Sequence, residues 1–123
     1  MQDNKNPIVK IDSFSVRDNT CTAGKKTWYS STLFEAARDL EPYDLQLSAL
    51  NLGAEFAASD TISLFCYQMK RVIDADLSYP IIQAPEGWIM DGYHRIVKAI
   101  IEGKTTIKAV RLPVLPEPDE INE

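Results

Sequence analysis

The sequence predicts an α+β domain: a small mixed sheet with helices packed on it. Three patterns carry that expectation. Short alternating apolar runs such as 79–84 and 106–112 read as strands. Ile62, Phe65, Cys66, Met69, Val72 and Ile73 recur at three- and four-residue steps, which is one face of a helix. An apolar run also ends at Asp91-Gly92, where a helical pattern begins at once.

The 123 residues suit a single domain over 7–112, with a polar end at 1–6 and a Pro-rich acidic tail at 113–123. Pro7–Ile11 reads as a short strand, and 14–22 alternates loosely enough for a second. Thr32-Leu33-Phe34-Glu35 has the form of a capping box, which would open a helix ending at Leu40, before Pro42. Tyr43–Leu47 alternates as a strand, while 48–58 fits neither pattern cleanly. Ser59-Asp60 would cap the next helix, whose apolar stripe would face the core with Cys66 in it and Lys70 and Arg71 in solvent.

Tyr79–Ala84 and Trp88–Met90 flank a Pro-Glu-Gly turn and read as a hairpin. A helix from Tyr93 to Glu102 follows, with Gly103 suited to the left-handed residue after its end. Thr106–Leu112 closes the domain as a strand. The tail, with three prolines and four acids, reads as extended or disordered.

Charge and cysteine content exclude several functions. The net charge of −5 is uneven: +2 over 1–29, −5 over 30–79, +2 over 80–112 and −4 in the tail. Such a chain is poorly built for non-specific DNA binding, which requires many phosphates to be neutralised. Cys21 and Cys66 lack the neighbours of a zinc site and read as reduced thiols. The apolar runs are too short to span a bilayer and the N-terminus lacks a signal-peptide core, so a cytoplasmic protein without membrane contact is expected.

The chemistry concentrates at Asp91-Gly92-Tyr93-His94-Arg95. A helix start offers backbone N–H groups and partial positive charge to an anion. Gly92 would permit close approach, and His94 (the chain's one histidine) and Arg95 would add side-chain donors. Lys98 shares their side of the helix. Plainer roles exist for each. His94 would cap the helix or bond a carbonyl, Arg95 would pair with Asp91 or a tail acid, Lys98 would be solvated and Asp91 would serve as the N-cap. Tyr93 and Trp88 read as packing side chains.

Set between Tyr79-Pro80-Ile81-Ile82, Gly87-Trp88-Ile89-Met90 and Gly103 to Val110, this turn resembles the phosphate-binding turn of the ParB N-terminal domain and sulfiredoxin superfamily. The resemblance implies that fold and a nucleotide or phosphate site at Gly92, Tyr93, His94, Arg95 and Lys98. ATP, ADP or CTP would be the ligand, with Asp91 as a catalytic or Mg²⁺-binding carboxylate. It also implies NTPase or phosphotransferase chemistry, or else a non-catalytic module in DNA metabolism or partition that meets DNA or a DNA-associated protein. A DNA-binding or nuclease ParB-like protein is a further alternative, for which the sequence offers no multi-carboxylate metal cluster. Tyr93 stands where sulfiredoxin chemistry needs a cysteine, and a helix-turn-helix domain like that of partition proteins is not seen. Asp44, Glu55 and Glu86 are the other carboxylates open to a catalytic role.

Overall fold

A computed structural model describes residues 6–12, 19–54, 56 and 61–123. The fold is α+β, as the sequence predicts. In chain order the elements are β1 (Thr20–Ala23), β2 (Lys26–Tyr29), α1 (Ser30–Ala37), β3 (Tyr43–Gln46), a single 3-10 turn (Leu47–Ala49), α2 (Ile62–Asp74), β4 (Ile81–Gln83), β5 (Ile89–Asp91), α3 (Tyr93–Ile101), β6 (Thr106–Arg111) and β7 (Glu120–Ile121).

The strands form two sheets, ordered β1-β2-β7 and β3-β6-β4-β5. In the larger sheet β4 runs parallel to β6, and the other pairings are antiparallel. The two-residue period of β4 and β6 divides the core. Ile82, Val110 and Leu112 point to one side, where Trp28, Leu33, Ala84 and Met90 join them. Ile81, Ile107 and Ala109 point to the other, against Leu47, Ile96 and Ala99. The first hairpin and α1 thus cover one face of the sheet, and α3 covers the other.

Several sequence expectations are met. The 79–90 hairpin forms, with Pro80 just ahead of the ladder. Gly103 takes φ +78° after α3. There Gly103 N bonds Ile100 O at 3.0 Å and Lys104 N bonds Ala99 O at 2.9 Å, the paired bonds of a Schellman stop.

Other expectations are corrected. Residues 7–11 form no strand, because the segment has no ladder partner among the described residues; Lys70 Nζ ties it down by donating to Ile11 O at 3.3 Å. Of the proposed strand at 14–22, only Thr20 onward is seen as β1, and 13–18 lie outside the described residues. The capping box is replaced. α1 begins at Ser30, and the Asp119 carboxylate accepts from Tyr29 N at 2.8 Å and Thr32 Oγ1 at 2.9 Å. Glu35 instead pairs with Arg38 on the surface. Thr61 caps α2 through Leu64 N, and the Ser59-Asp60 expectation lies outside the described residues.

The tail is ordered rather than loose. β7 pairs with β2, and Trp28 Nε1 donates to Pro116 O at 2.8 Å. A buried indole needs an acceptor for its N–H, and the tail supplies it. The α2 stripe is also not core. Ile62 is 85% exposed, Phe65 54% and Ile73 70%, with Cys66 exposed as well. α2 packs beside α3 instead of over the sheet, so only Val72 becomes fully buried.

Candidate functional site

At the end of β5 an irregularity sets the geometry. The β4–β5 register shifts between Ile82 and Gln83, so Met90 is an extra residue on β5. The bulge lets consecutive residues, Met90 and Asp91, both turn inward. Gly92 follows with φ +116° and ψ +16° as the N-cap of α3. A Cβ here would lie 2.4 Å from Ile81 Cγ2 and 2.7 Å from Ile81 Cβ. The turn therefore needs glycine twice over, for its dihedrals and for its contact with β4. Gly92 O accepts from Ile96 N at 3.0 Å, which starts the helix ladder.

Asp91 is buried and its carboxylate is held from two sides. Asn19 Nδ2 donates to Oδ1 at 3.1 Å and Arg95 Nη2 to Oδ2 at 2.6 Å. Burial pushes its pKa up, opposed by Arg95, Arg71 and the Asn19 bond. Arg95 Nη1 also reaches Tyr79 O at 3.2 Å and Pro80 O at 3.0 Å. One guanidinium thus ties the entry of β4 to the end of β5 and the first turn of α3. The pairing of Arg95 with Asp91 is what the structure contains, and the side chain acts as a buttress under the turn.

His94 Nε2 lies 2.7 Å from Gln68 Oε1 on α2, and its ring meets Phe56 edge-on with centroids 5.1 Å apart. Burial, with Arg71 and Arg95 nearby, lowers its pKa to about 4, so the ring is neutral at pH 7 and Nε2–H is the donor to Gln68. Lys98 Nζ donates to Ile73 O at 2.8 Å and Ala75 O at 2.7 Å. It closes the C-terminal end of α2, where a cation is favoured, rather than standing in solvent.

The start of α3 opens on a cavity of about 1170 Å³. Gly92, Tyr93, His94 and Arg95 line it, together with Lys70, Arg71 and Asp74 from α2 and Asp76 just after it. Phe34, Leu40, Pro42 and Trp88 line it as well. Lys70 and Arg71 are half-buried rather than solvated, which corrects the sequence expectation. Arg71 lies near the Tyr67 ring, 5.9 Å from its centroid, and burial lowers its pKa.

The sequence reading missed Asn19, Arg71 and Cys21. A basic residue flanking an apolar stripe was a visible signal for Arg71. The other two reach the turn only through sheet topology. β1 carries Cys21 into the cavity, where burial and the Asp91 charge push its thiol up to about 11. At that value it is a thiol at neutral pH and not an activated nucleophile.

Of the other carboxylates open to a catalytic role, two lie away from the turn, whereas Asp74 and Asp76 line the cavity beside it. Asp44 lies on β3, at the opposite edge of the larger sheet, and pairs with Lys108 at 2.7 Å. Glu86 accepts from Trp88 Nε1 at 2.9 Å in the turn at the far end of β5. Glu55 lies outside the described residues. Among the described residues there is no cluster of three or more His, Cys, Asp or Glu suited to a metal. Asp91 is buried and its carboxylate already pairs with Arg95, so a Mg²⁺ ion there would compete with the guanidinium that supports the turn.

No helix among the described residues is long and apolar enough to cross a membrane. Comparison with protein-family models, with curated proteins and with solved structures found no match.

Proposed function

We propose that this chain binds a phosphate-bearing ligand of nucleotide type, with an anionic group at the Gly92–Arg95 turn. The observation that carries the reading is the opening of the α3 N-terminus, set by its glycine turn, into a large cavity that Arg71 also lines. Backbone N–H groups and a nearby guanidinium form an anion site in which no bond need be made by Arg95 or Lys98. The resemblance to the ParB and sulfiredoxin superfamily supports the same reading through the succession β5, Gly92, α3, Gly103 and β6. The activity is binding. Asp12, Asp74, Asp76 and Asp91 also line the cavity, and none is assigned as a base, so phosphoryl transfer is not proposed and no step is routed through a metal.

The test is a thermal-shift series with ATP, ADP, CTP and pyrophosphate at millimolar concentration, with and without Mg²⁺. A ligand at a hundred times its Kd stabilises by about 2.7 kcal/mol, which is easily read. Arg71→Gln is expected to remove most of the shift. No shift with any of these ligands would sink the reading.

A second reading has its own support. The exposed stripe of α2, with Ile62, Phe65 and Ile73, has the chemistry of a partner surface. On that reading the chain is an interaction module, as expected for a protein that meets a DNA-associated partner. Ile62→Asp with Ile73→Asp would then abolish partner capture at unchanged stability. Lower solubility without a partner would instead mark the stripe as a bare surface.

A further inference from the structure

The cavity's lining is chemically mixed. It joins the α3 start, Lys70 and Arg71, and the carboxylates of Asp74 and Asp76, with two large aromatic side chains that the fold leaves partly open. Phe34 of α1 is 41% exposed and Trp88, just before β5, is 36% exposed. Neither exposure follows from the packing of the core. On α1 it is Leu33 that is buried and Ala37 that packs against the cluster around Trp28. Phe34 is left facing the cavity.

Trp88 is fixed in place by two contacts. Its Nε1–H is held by Glu86, and its ring leans on Trp28 at 56° with centroids 6.4 Å apart. An indole fixed in this way presents a preset flat surface, which loses little freedom when a ring stacks on it. Trp88 also stands four residues before Gly92, so the two lie at most about 13 Å apart at roughly 3.3 Å per residue, and the bulge at Met90 shortens that span. Free phosphate at the turn would leave the aromatic part untouched. A ligand with an anion at one end and a planar ring at the other would fill both.

We propose that Phe34 and Trp88 form the ring-binding end of this cavity and take the planar base of a nucleoside polyphosphate whose phosphates lie at the α3 turn. The inference rests on the phosphate reading of that turn and adds the ligand's other half. Stacking on an aromatic side chain is tolerant of base identity, so the site selects for a flat ring before it selects among bases.

Calorimetric titration of the full chain with ATP, CTP and inorganic tripolyphosphate tests it. Tripolyphosphate carries at least as much negative charge as either nucleotide and lacks the ring, so charge alone cannot produce a nucleotide preference. The expected result is nucleotide binding about tenfold or more tighter than tripolyphosphate. Phe34→Ala should erase most of that difference while leaving tripolyphosphate affinity unchanged. Trp88→Ala should do the same, with urea melts confirming that it folds. Equal affinity for nucleotide and tripolyphosphate, or a Phe34→Ala variant with unaltered nucleotide preference, would overturn the ring site and leave the phosphate reading standing. Binding of none of the three ligands would overturn both.

Discussion

Gly92→Ala is the substitution for which the structure gives the clearest magnitude. The new Cβ would sit 2.4 Å and 2.7 Å from two atoms of Ile81, a fully buried residue of β4. Overpacking of that kind costs about 1–3 kcal/mol. A φ of +116° adds roughly 1–2 kcal/mol for any L side chain. Restriction of the unfolded chain returns about 0.4–1 kcal/mol. The net loss is about 1–5 kcal/mol, a large share of the roughly 5–15 kcal/mol that holds a domain folded. Gly103→Ala is the internal control, since its φ is +78° and a Cβ there would meet nothing within 4 Å. It should lose only about 1 kcal/mol. Urea melts of both variants against the parent provide the measurement. Equal losses at the two glycines would refute the close-approach argument, because the contact with Ile81 is what separates them.

Three further expectations follow from bonds around the site. His94 resists protonation in the fold until about pH 4, whereas the unfolded chain takes that proton near pH 6.5. Stability should therefore fall as pH drops through that window, by about 1–2 kcal/mol after allowance for a half-exposed ring, and His94→Gln should flatten the fall. An imidazole resonance titrating near 6.5 in the folded protein would contradict this. Lys98→Met removes two bonds to the end of α2 and should cost about 1–2 kcal/mol in a urea melt with nucleotide affinity unchanged; a selective loss of binding would instead make Lys98 a ligand contact. Asp119→Ala should lower stability by about 1 kcal/mol, as loss of an N-cap does, and amide exchange at the start of α1 should quicken.

How far the sequence could be read depended on whether a residue's partner lay nearby in the chain. The 79–90 hairpin, α3 and its glycine stop are local, and their boundaries were legible from turn chemistry and periodicity. The α2 stripe had a clear helical period, yet period alone does not say whether a sheet lies beneath it. Here α2 sits beside α3 and most of the stripe faces outward. The tail was misread because proline and acid content describe solubility, whereas its order comes from one buried indole and one helix start seeking partners. At the candidate site, the glycine turn was visible in the sequence. The lock between Asp91 and Arg95 stood there as one of two readings. The arrival of Asn19, Cys21 and Arg71 depended on how β1 and α2 are placed in space.

The tie between Trp28 and Pro116 also has a kinetic side. The two residues are 88 positions apart, and the Tyr29–Asp119 bond spans 90. Loops of that length close slowly, because chain entropy is lost before any contact rewards it. The β1–β2 hairpin can form early from neighbouring residues, but its indole stays without an acceptor until the distant segment arrives. Folding should then show a late step in which Trp28 fluorescence changes after most helix has formed. Asp119→Ala and Pro116 variants should act mainly on the rate of that step or on unfolding, depending on whether the strap is in place at the barrier.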